Sequence, residues 1–87
     1  MHEETINEAV KEMLADEAWR YGGTISGEVG SKTKHKSSIV ERRLREAYRG
    51  MRGKVPCEKY LDRRYVPNPN GRGAPVVQYK LLETITI

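Results

Sequence analysis

The sequence predicts an α+β fold in which three helical elements precede a C-terminal β-hairpin. Amphipathic helical patterns in the first 50 residues support this class, as do two apolar segments that flank an Asn-Gly turn near the C-terminus. A chain of 87 residues has room for one hydrophobic core, so we expect a single domain over residues 1–87. A domain of this size is marginally stable unless its core is well packed or it dimerises.

The first helix is predicted over residues 5–20. Its apolar residues recur at the spacing that places them on one side of a helix: Ile6, Ala9, Val10, Met13, Leu14 and Ala18. Thr5 with Glu8 three residues later has the sequence of a capping box, and Gly22-Gly23 is expected to end the helix. The next segment, residues 24–30, contains two glycines and predicts only a short helix, with a brief strand at its start as the alternative.

The clearest helix is predicted over residues 37–50. One side is apolar, with Val40, Leu44, Ala47, Tyr48 and Met51. Ser38 with Glu41 forms a second capping-box sequence, for which Ser37 is a competing cap. At about 100° per residue, the opposite side carries Ser38, Arg42, Arg45 and Arg49. Gly50 is expected to end the helix.

The C-terminal segments predict a β-hairpin with strands over residues 59–66 and 74–82. The tip, residues 67–73, contains Asn70-Gly71, a pair that adopts the positive backbone angles of a tight turn. Two prolines stiffen this tip. Residues 83–87 are expected to be a tail or a further short strand.

Charge is segregated along the chain, and the net charge of +4 conceals it. Residues 1–30 hold two basic and seven acidic residues, whereas residues 31–64 hold twelve basic and four acidic ones. A positive face of this kind attracts polyanions. The alternative is a solvated charged surface that binds no ligand. Most runs of Lys and Arg form a surface of this kind.

Several function classes are not expected. No apolar run is long enough to cross a membrane, and the acidic N-terminus is unlike a signal peptide. Cys57 is the only cysteine, which fits a reduced, cytoplasmic protein and excludes an internal disulfide. His2 and His35 lie far apart and Cys57 is at ligand spacing from neither, so no metal site is expected. The chain lacks a catalytic motif and a phosphate-binding Gly-rich loop, so we expect neither enzymatic activity nor a cofactor.

Two segments resemble the winged helix-turn-helix family. "SSIVERRLREAYRGMRG" is similar to its recognition helix and the turn after it, and "RRYVPNPNGRGAPVVQYKL" looks like its wing. The resemblance covers about residues 5–82 and implies a small stand-alone DNA-binding domain, similar to those of phages, plasmids, mobile elements or archaea. One segment departs from the pattern, because "TISGEVGSKTKHK" is glycine-rich and polar where the family has a two-turn helix. A truncated helix or an enlarged turn is therefore expected there.

The resemblance also implies which residues would contact nucleic acid. In this family the recognition helix enters the major groove, with its N-terminal residues nearest the base edges. The residues that this places at or near DNA are Lys32, Thr33, Lys34, His35, Lys36, Ser37, Ser38, Arg42, Arg45 and Arg49. Arg72, at the wing tip, is placed for the adjacent backbone or minor groove. Arg63 and Arg64 alternate across their strand, so only one of them can face the DNA, and Arg64 is the one we expect.

The function expected from these observations is sequence-specific binding of double-stranded DNA by a small transcriptional regulator. A homodimer would double the site that is read, with the first helix or residues 81–87 as the contact. No small-molecule ligand and no membrane partner are expected. Two alternatives remain open: a protein-binding adaptor or inhibitor of a larger nucleic-acid-processing complex, and a protein that binds structured RNA.

Overall fold

The structure is a computed structural model in which residues 5–82 are described. The helices are α1 (Ile6–Met13), α2 (Gly22–Thr33) and α3 (Ser37–Arg49). The strands are β1 (Arg20–Tyr21), β2 (Met51–Arg52), β3 (Val55–Pro56), β4 (Leu61–Val66) and β5 (Val76–Leu81). The predicted α+β class, with three helices and a small antiparallel sheet, is confirmed. Residues 83–87, for which a tail or dimer contact is predicted, lie outside the described part of the chain.

The main sheet has three antiparallel strands in the order β1-β5-β4. Arg63 pairs with Tyr79 across β4 and β5, and Arg20 of β1 pairs with the same tyrosine from the other side. Strands β2 and β3 form a separate two-stranded hairpin directly after α3. Neither β1 nor the β2–β3 hairpin is predicted by the sequence patterns above.

Helix α1 is shorter than the predicted residues 5–20, because it ends at Met13. Beyond it, the Asp16 carboxylate accepts a hydrogen bond from the Ala18 amide at 3.2 Å, and Glu17 adopts a positive φ of 60°. Such local side-chain bonds offer the backbone an alternative to the helix. The capping box at the other end is confirmed, since Thr5 Oγ1 accepts from the Glu8 amide at 3.1 Å.

Helix α2 is longer than the predicted residues 24–30, and the expected truncation is wrong. It runs for 12 residues from Gly22, so the glycine pair begins this helix and does not end α1, which stops at Met13. Its buried residues include Ile25, Val29 and Gly30, which place one side of the helix against the core. Packing of this side outweighs the low helix propensity of glycine.

The turn between α2 and α3 is short and close-packed. Three residues, Lys34–Lys36, connect the helices, and Lys34 adopts a left-handed conformation with φ of 59°. The His35 amide donates to the Gly30 carbonyl at 2.9 Å, which closes the end of α2. A Cβ atom on Gly30 would lie 2.8 Å from the His35 carbonyl oxygen, so the corner leaves no room for a side chain.

Helix α3 matches its prediction within one residue, and Gly50 ends it with a positive φ of 72°. The predicted caps are wrong. The N-cap is Lys36, which makes no side-chain capping bond, and Ser37 and Ser38 already belong to the first turn. The extended conformation of Lys36 follows from the tight turn, which starts the helix one to two residues earlier than the capping sequence suggests.

The hydrophobic core lies between the three helices and the inner face of β4 and β5. Its buried members are Ile6, Ala9, Val10, Leu14, Ile25, Val29, Val40, Leu44, Ala47, Tyr60, Leu61 and Tyr79. The Tyr60 hydroxyl donates a hydrogen bond to Asn7 Oδ1 at 2.9 Å. This bond links the residue directly before β4 to α1. The core therefore ties the helices to the hairpin.

The two long strands are shorter than predicted, since β4 starts at Leu61 and β5 at Val76. At the tip between them, the Gly71 amide donates to the Asn68 carbonyl at 2.9 Å. Gly71 has a positive φ of 73° but Asn70 does not, so the predicted Asn-Gly turn is wrong in its first residue. A turn with Pro69 in its second position needs no positive angle at Asn70.

Candidate nucleic-acid interface

Three arginines form a row along the outer side of α3. Arg42, Arg45 and Arg49, here called the arginine row, are exposed and follow one another at the three- and four-residue spacing of one helix side. Within residues 5–82, no carboxylate forms an ion pair with any of them. The arginine row therefore presents three uncompensated positive charges to solvent.

The arginine row lines one side of a shallow surface depression. The depression has a volume of about 380 Å³, and its other lining residues are Glu46, Met51 and Gly53. The Glu46 carboxylate is engaged elsewhere: Oε1 lies 3.2 Å from Arg43 Nη1 and Oε2 lies 3.3 Å from Arg52 Nε. Its side chain is only 13% exposed. Glu46, the one acidic residue that lines the depression, therefore does not neutralise the arginine row.

Arg63 connects α3 with the β4–β5 hairpin. Its guanidinium lies 4.1 Å from the ring centroid of Tyr48, a residue of α3, and its cross-strand partner in β5 is Tyr79. Burial raises the pKa of Tyr79, whereas the nearby positive charges of Arg63 and Arg45 oppose that rise. Because Arg63 packs on Tyr48, which lies three residues after Arg45 on α3, the arginine row and this side of the hairpin belong to one surface.

Tyr65 extends this surface toward the hairpin tip. It lies on the same strand side as Arg63, at 5.4 Å between its ring centroid and the guanidinium, and it is 64% exposed. An exposed aromatic ring beside a guanidinium offers a flat, partly cationic contact for a nucleotide.

Arg64, the residue expected to face the ligand, lies on the opposite side of the sheet. Its guanidinium sits 4.3 Å from the Trp19 ring centroid, and its Nε donates to Gln78 Oε1 at 2.8 Å. Lys80 lies over the same indole at 5.4 Å. The expectation for Arg64 is wrong because side chains alternate along β4. Leu61 is buried, so Arg63, two residues later, shares its side of the strand and Arg64 does not. The apolar Leu61 is the sequence signal that could have identified Arg63.

The basic segment before α3 is an ordered turn, and its residues differ in accessibility. Thr33 was expected to lie at the DNA, but this prediction is wrong. The residue is buried, and its hydroxyl donates to the Val29 carbonyl at 2.7 Å. His35 Nδ1 lies 3.0 Å from the Thr33 hydroxyl. Lys32, in the last turn of α2, places its Nζ 3.3 Å from Glu12 Oε2 of α1. All members of the segment other than Thr33 are exposed: Lys32, Lys34, His35, Lys36, Ser37 and Ser38. Arg72 is exposed at the hairpin tip.

The β2–β3 hairpin is the basic element that sequence reasoning missed. It places Arg52 against Glu46 near the C-terminal end of α3, and Lys54 directly follows Gly53, which lines the depression. Gly53, with a positive φ of 64°, forms its turn, and this glycine between two basic residues was the available signal.

Other kinds of site are not found in the described residues. No group of three His, Cys, Asp or Glu side chains in residues 5–82 could hold a metal ion. Within the same range, no helix has both the length and the apolar character needed to span a membrane. Comparison with protein-family models, curated proteins and solved structures finds no match to this chain.

Proposed function

We propose that the protein binds double-stranded DNA as a winged-helix domain, with α3 as the recognition helix and the β4–β5 hairpin as the wing. The observation that carries the proposal is the shared surface of the arginine row and Arg63, joined by the packing of Arg63 on Tyr48 of α3. The short α2–α3 turn and the β1-β5-β4 strand order are compatible with that layout. The proposed biological role is transcriptional regulation, in which the bound DNA sites lie at promoters.

In the proposed complex, α3 lies in the major groove. Arg42 and Arg45 project from the middle of the helix, where a guanidinium can donate two hydrogen bonds to guanine O6 and N7. Lys34 and Lys36, exposed in the turn before α3, neutralise phosphates. Arg72 at the hairpin tip contacts the neighbouring backbone or minor groove. Phosphate contacts position the domain, and the arginines supply the sequence preference.

The experiment is a fluorescence anisotropy titration with a randomised DNA duplex and with duplexes enriched from it by selection on the protein. Replacement of Arg42 and Arg45 by alanine is expected to weaken binding to the enriched duplex at least tenfold, since each bidentate pair contributes about 1–3 kcal/mol of discrimination. The matched control is the double replacement Arg64→Ala with Lys80→Ala, which removes the same charge from the opposite side of the sheet. We expect it to keep the affinity within about twofold, a change below 0.5 kcal/mol.

Three results would contradict the proposal. The wild-type protein could fail to bind duplex DNA, both double variants could lose affinity equally, or structured RNA could bind more tightly than the duplex. Equal losses would mean that net charge alone attracts the DNA. A preference for RNA would favour the RNA-binding alternative, because the deep, narrow major groove of an A-form helix does not admit α3.

A further inference from the structure

The β2–β3 hairpin has no role in the core and none in the proposed recognition helix or wing. Its residues, from Met51 to Pro56, are all exposed. Val55 is 65% exposed and Met51 39% exposed, so the hairpin stands out from the domain instead of covering it. Arg52 and Lys54 are its charged residues, and both are basic.

The hairpin is fixed relative to α3 despite this exposure. Arg52 Nε lies 3.3 Å from Glu46 Oε2, which fastens β2 to the last turns of the helix. The Cys57 amide donates to the Gly50 carbonyl at 3.0 Å and closes the hairpin at its base. These contacts hold the hairpin turn beside Arg49 without requiring a bound ligand, which lowers the ordering cost of binding.

The depression between the hairpin and the arginine row has the chemistry of an anion site. Arg42, Arg45 and Arg49 line it together with Met51 and Gly53, and the carboxylate of Glu46 is already paired with two other arginines. The C-terminal end of a helix carries about half a negative charge, which opposes an anion. Amide donors on the carbonyls of Glu46 and Gly50 reduce this effect, and three full guanidinium charges outweigh it.

We propose that the β2–β3 hairpin and Arg49 together bind a phosphodiester of the DNA backbone at the C-terminal end of α3. This inference rests on the proposed function and adds a contact that neither the α3 N-terminus nor the β4–β5 tip supplies. Arg49 donates its planar pair of N–H groups to the phosphate oxygens, and Lys54 at the hairpin turn supplies a second positive charge. Duplex DNA is then held at both ends of the recognition helix.

The salt dependence of binding tests this site. Log affinity falls linearly with log salt, with a slope of about −0.9 for each phosphate that the protein neutralises. Arg49→Gln and Lys54→Gln are each expected to make the slope shallower, and together by about 0.9, because the two residues share one phosphate. The change should be equal for enriched and randomised duplexes, since phosphate contacts carry no sequence information. Lys80→Gln, on the outer side of the sheet, removes the same charge and is expected to leave the slope unchanged. Circular dichroism melting confirms that each variant is folded.

The outcomes separate this inference from the proposed function. Wild-type slopes in both Arg49→Gln and Lys54→Gln, with binding still lost in the Arg42 and Arg45 double variant, would overturn the hairpin site and leave the recognition helix intact. A slope change in Lys80→Gln as large as in the two test variants would also overturn it, since the effect would then come from net charge. Failure of the wild-type protein to bind duplex DNA would refute both proposals.

Discussion

Replacement of Gly30 by alanine tests the close approach of α2 to the turn before α3. The added Cβ would lie 2.8 Å from the His35 carbonyl oxygen, within the 3.0 Å limit that real Cβ contacts essentially never cross. The neighbour is backbone, so no side chain can rotate away to relieve the contact. The turn itself has to move, and its movement stretches the bond from the His35 amide to the Gly30 carbonyl.

The size of the effect follows from two opposing contributions. Alanine is favoured over glycine inside a helix by about 0.5–1 kcal/mol. Overpacking costs about 1–3 kcal/mol, and a weakened hydrogen bond adds up to about 1 kcal/mol. The clash wins, and we expect Gly30→Ala to lower the free energy of unfolding by roughly 1–2 kcal/mol, which corresponds to a fall in Tm of about 4–16 °C in a domain of this size.

Gly27 provides the matched control, because it lies in the same helix and nothing would lie within 4 Å of its Cβ. Gly27→Ala is expected to raise the stability by about 0.5–1 kcal/mol through helix propensity alone. Urea titration and thermal melting, both followed by circular dichroism, measure the difference between the two variants. Equal stability of Gly30→Ala and Gly27→Ala would show that the turn accommodates the added methyl group without strain.

Two further predictions concern stability. Thr5→Ala removes an observed capping bond and should cost about 1 kcal/mol, whereas Ser38→Ala, at a predicted cap that the structure does not use, should cost under about 0.5 kcal/mol in the same urea titration. Equal costs would contradict the observed caps. Burial raises the pKa of Tyr60 and Tyr79, so the folded state keeps protons that the unfolded chain releases near pH 10. Stability is therefore unaffected well below pH 10 and falls as the pH rises through it. Phenolate absorbance at 295 nm should show these two tyrosines ionising only as the circular dichroism of the folded protein is lost. Ionisation of both tyrosines while the protein stays folded would contradict this expectation.

Local interactions account for the elements that the sequence predicts well. The apolar side of α3, with Val40, Leu44 and Ala47, is sufficient to define that helix within one residue. The capping box of Thr5 likewise sets the start of α1. In both cases the determining contacts lie within a few positions of one another, so a single sequence contains them.

Contacts between distant segments account for the elements that the sequence does not predict. Helix α2 forms because Ile25 and Val29 are buried by the rest of the core, which overrides its glycines. Strand β1 exists only through pairing of Arg20 with Tyr79, far along the chain. The same pairing register decides that Arg63, and not Arg64, shares a surface with the arginine row. Propensity and spacing carry no information about these partners.

The position of Trp19 gives the domain a built-in spectroscopic probe. It is the only tryptophan in the chain, and both Arg64 of β4 and Lys80 of β5 lie over its indole ring. This environment exists only when the segment before β1 docks on a hairpin formed much later in synthesis. Intrinsic fluorescence therefore follows the joining of the two ends of the fold, while far-ultraviolet circular dichroism follows the helices. Because the indole is on the side of the sheet away from the arginine row, its emission serves as a folding monitor on a surface that the proposed DNA contacts leave open.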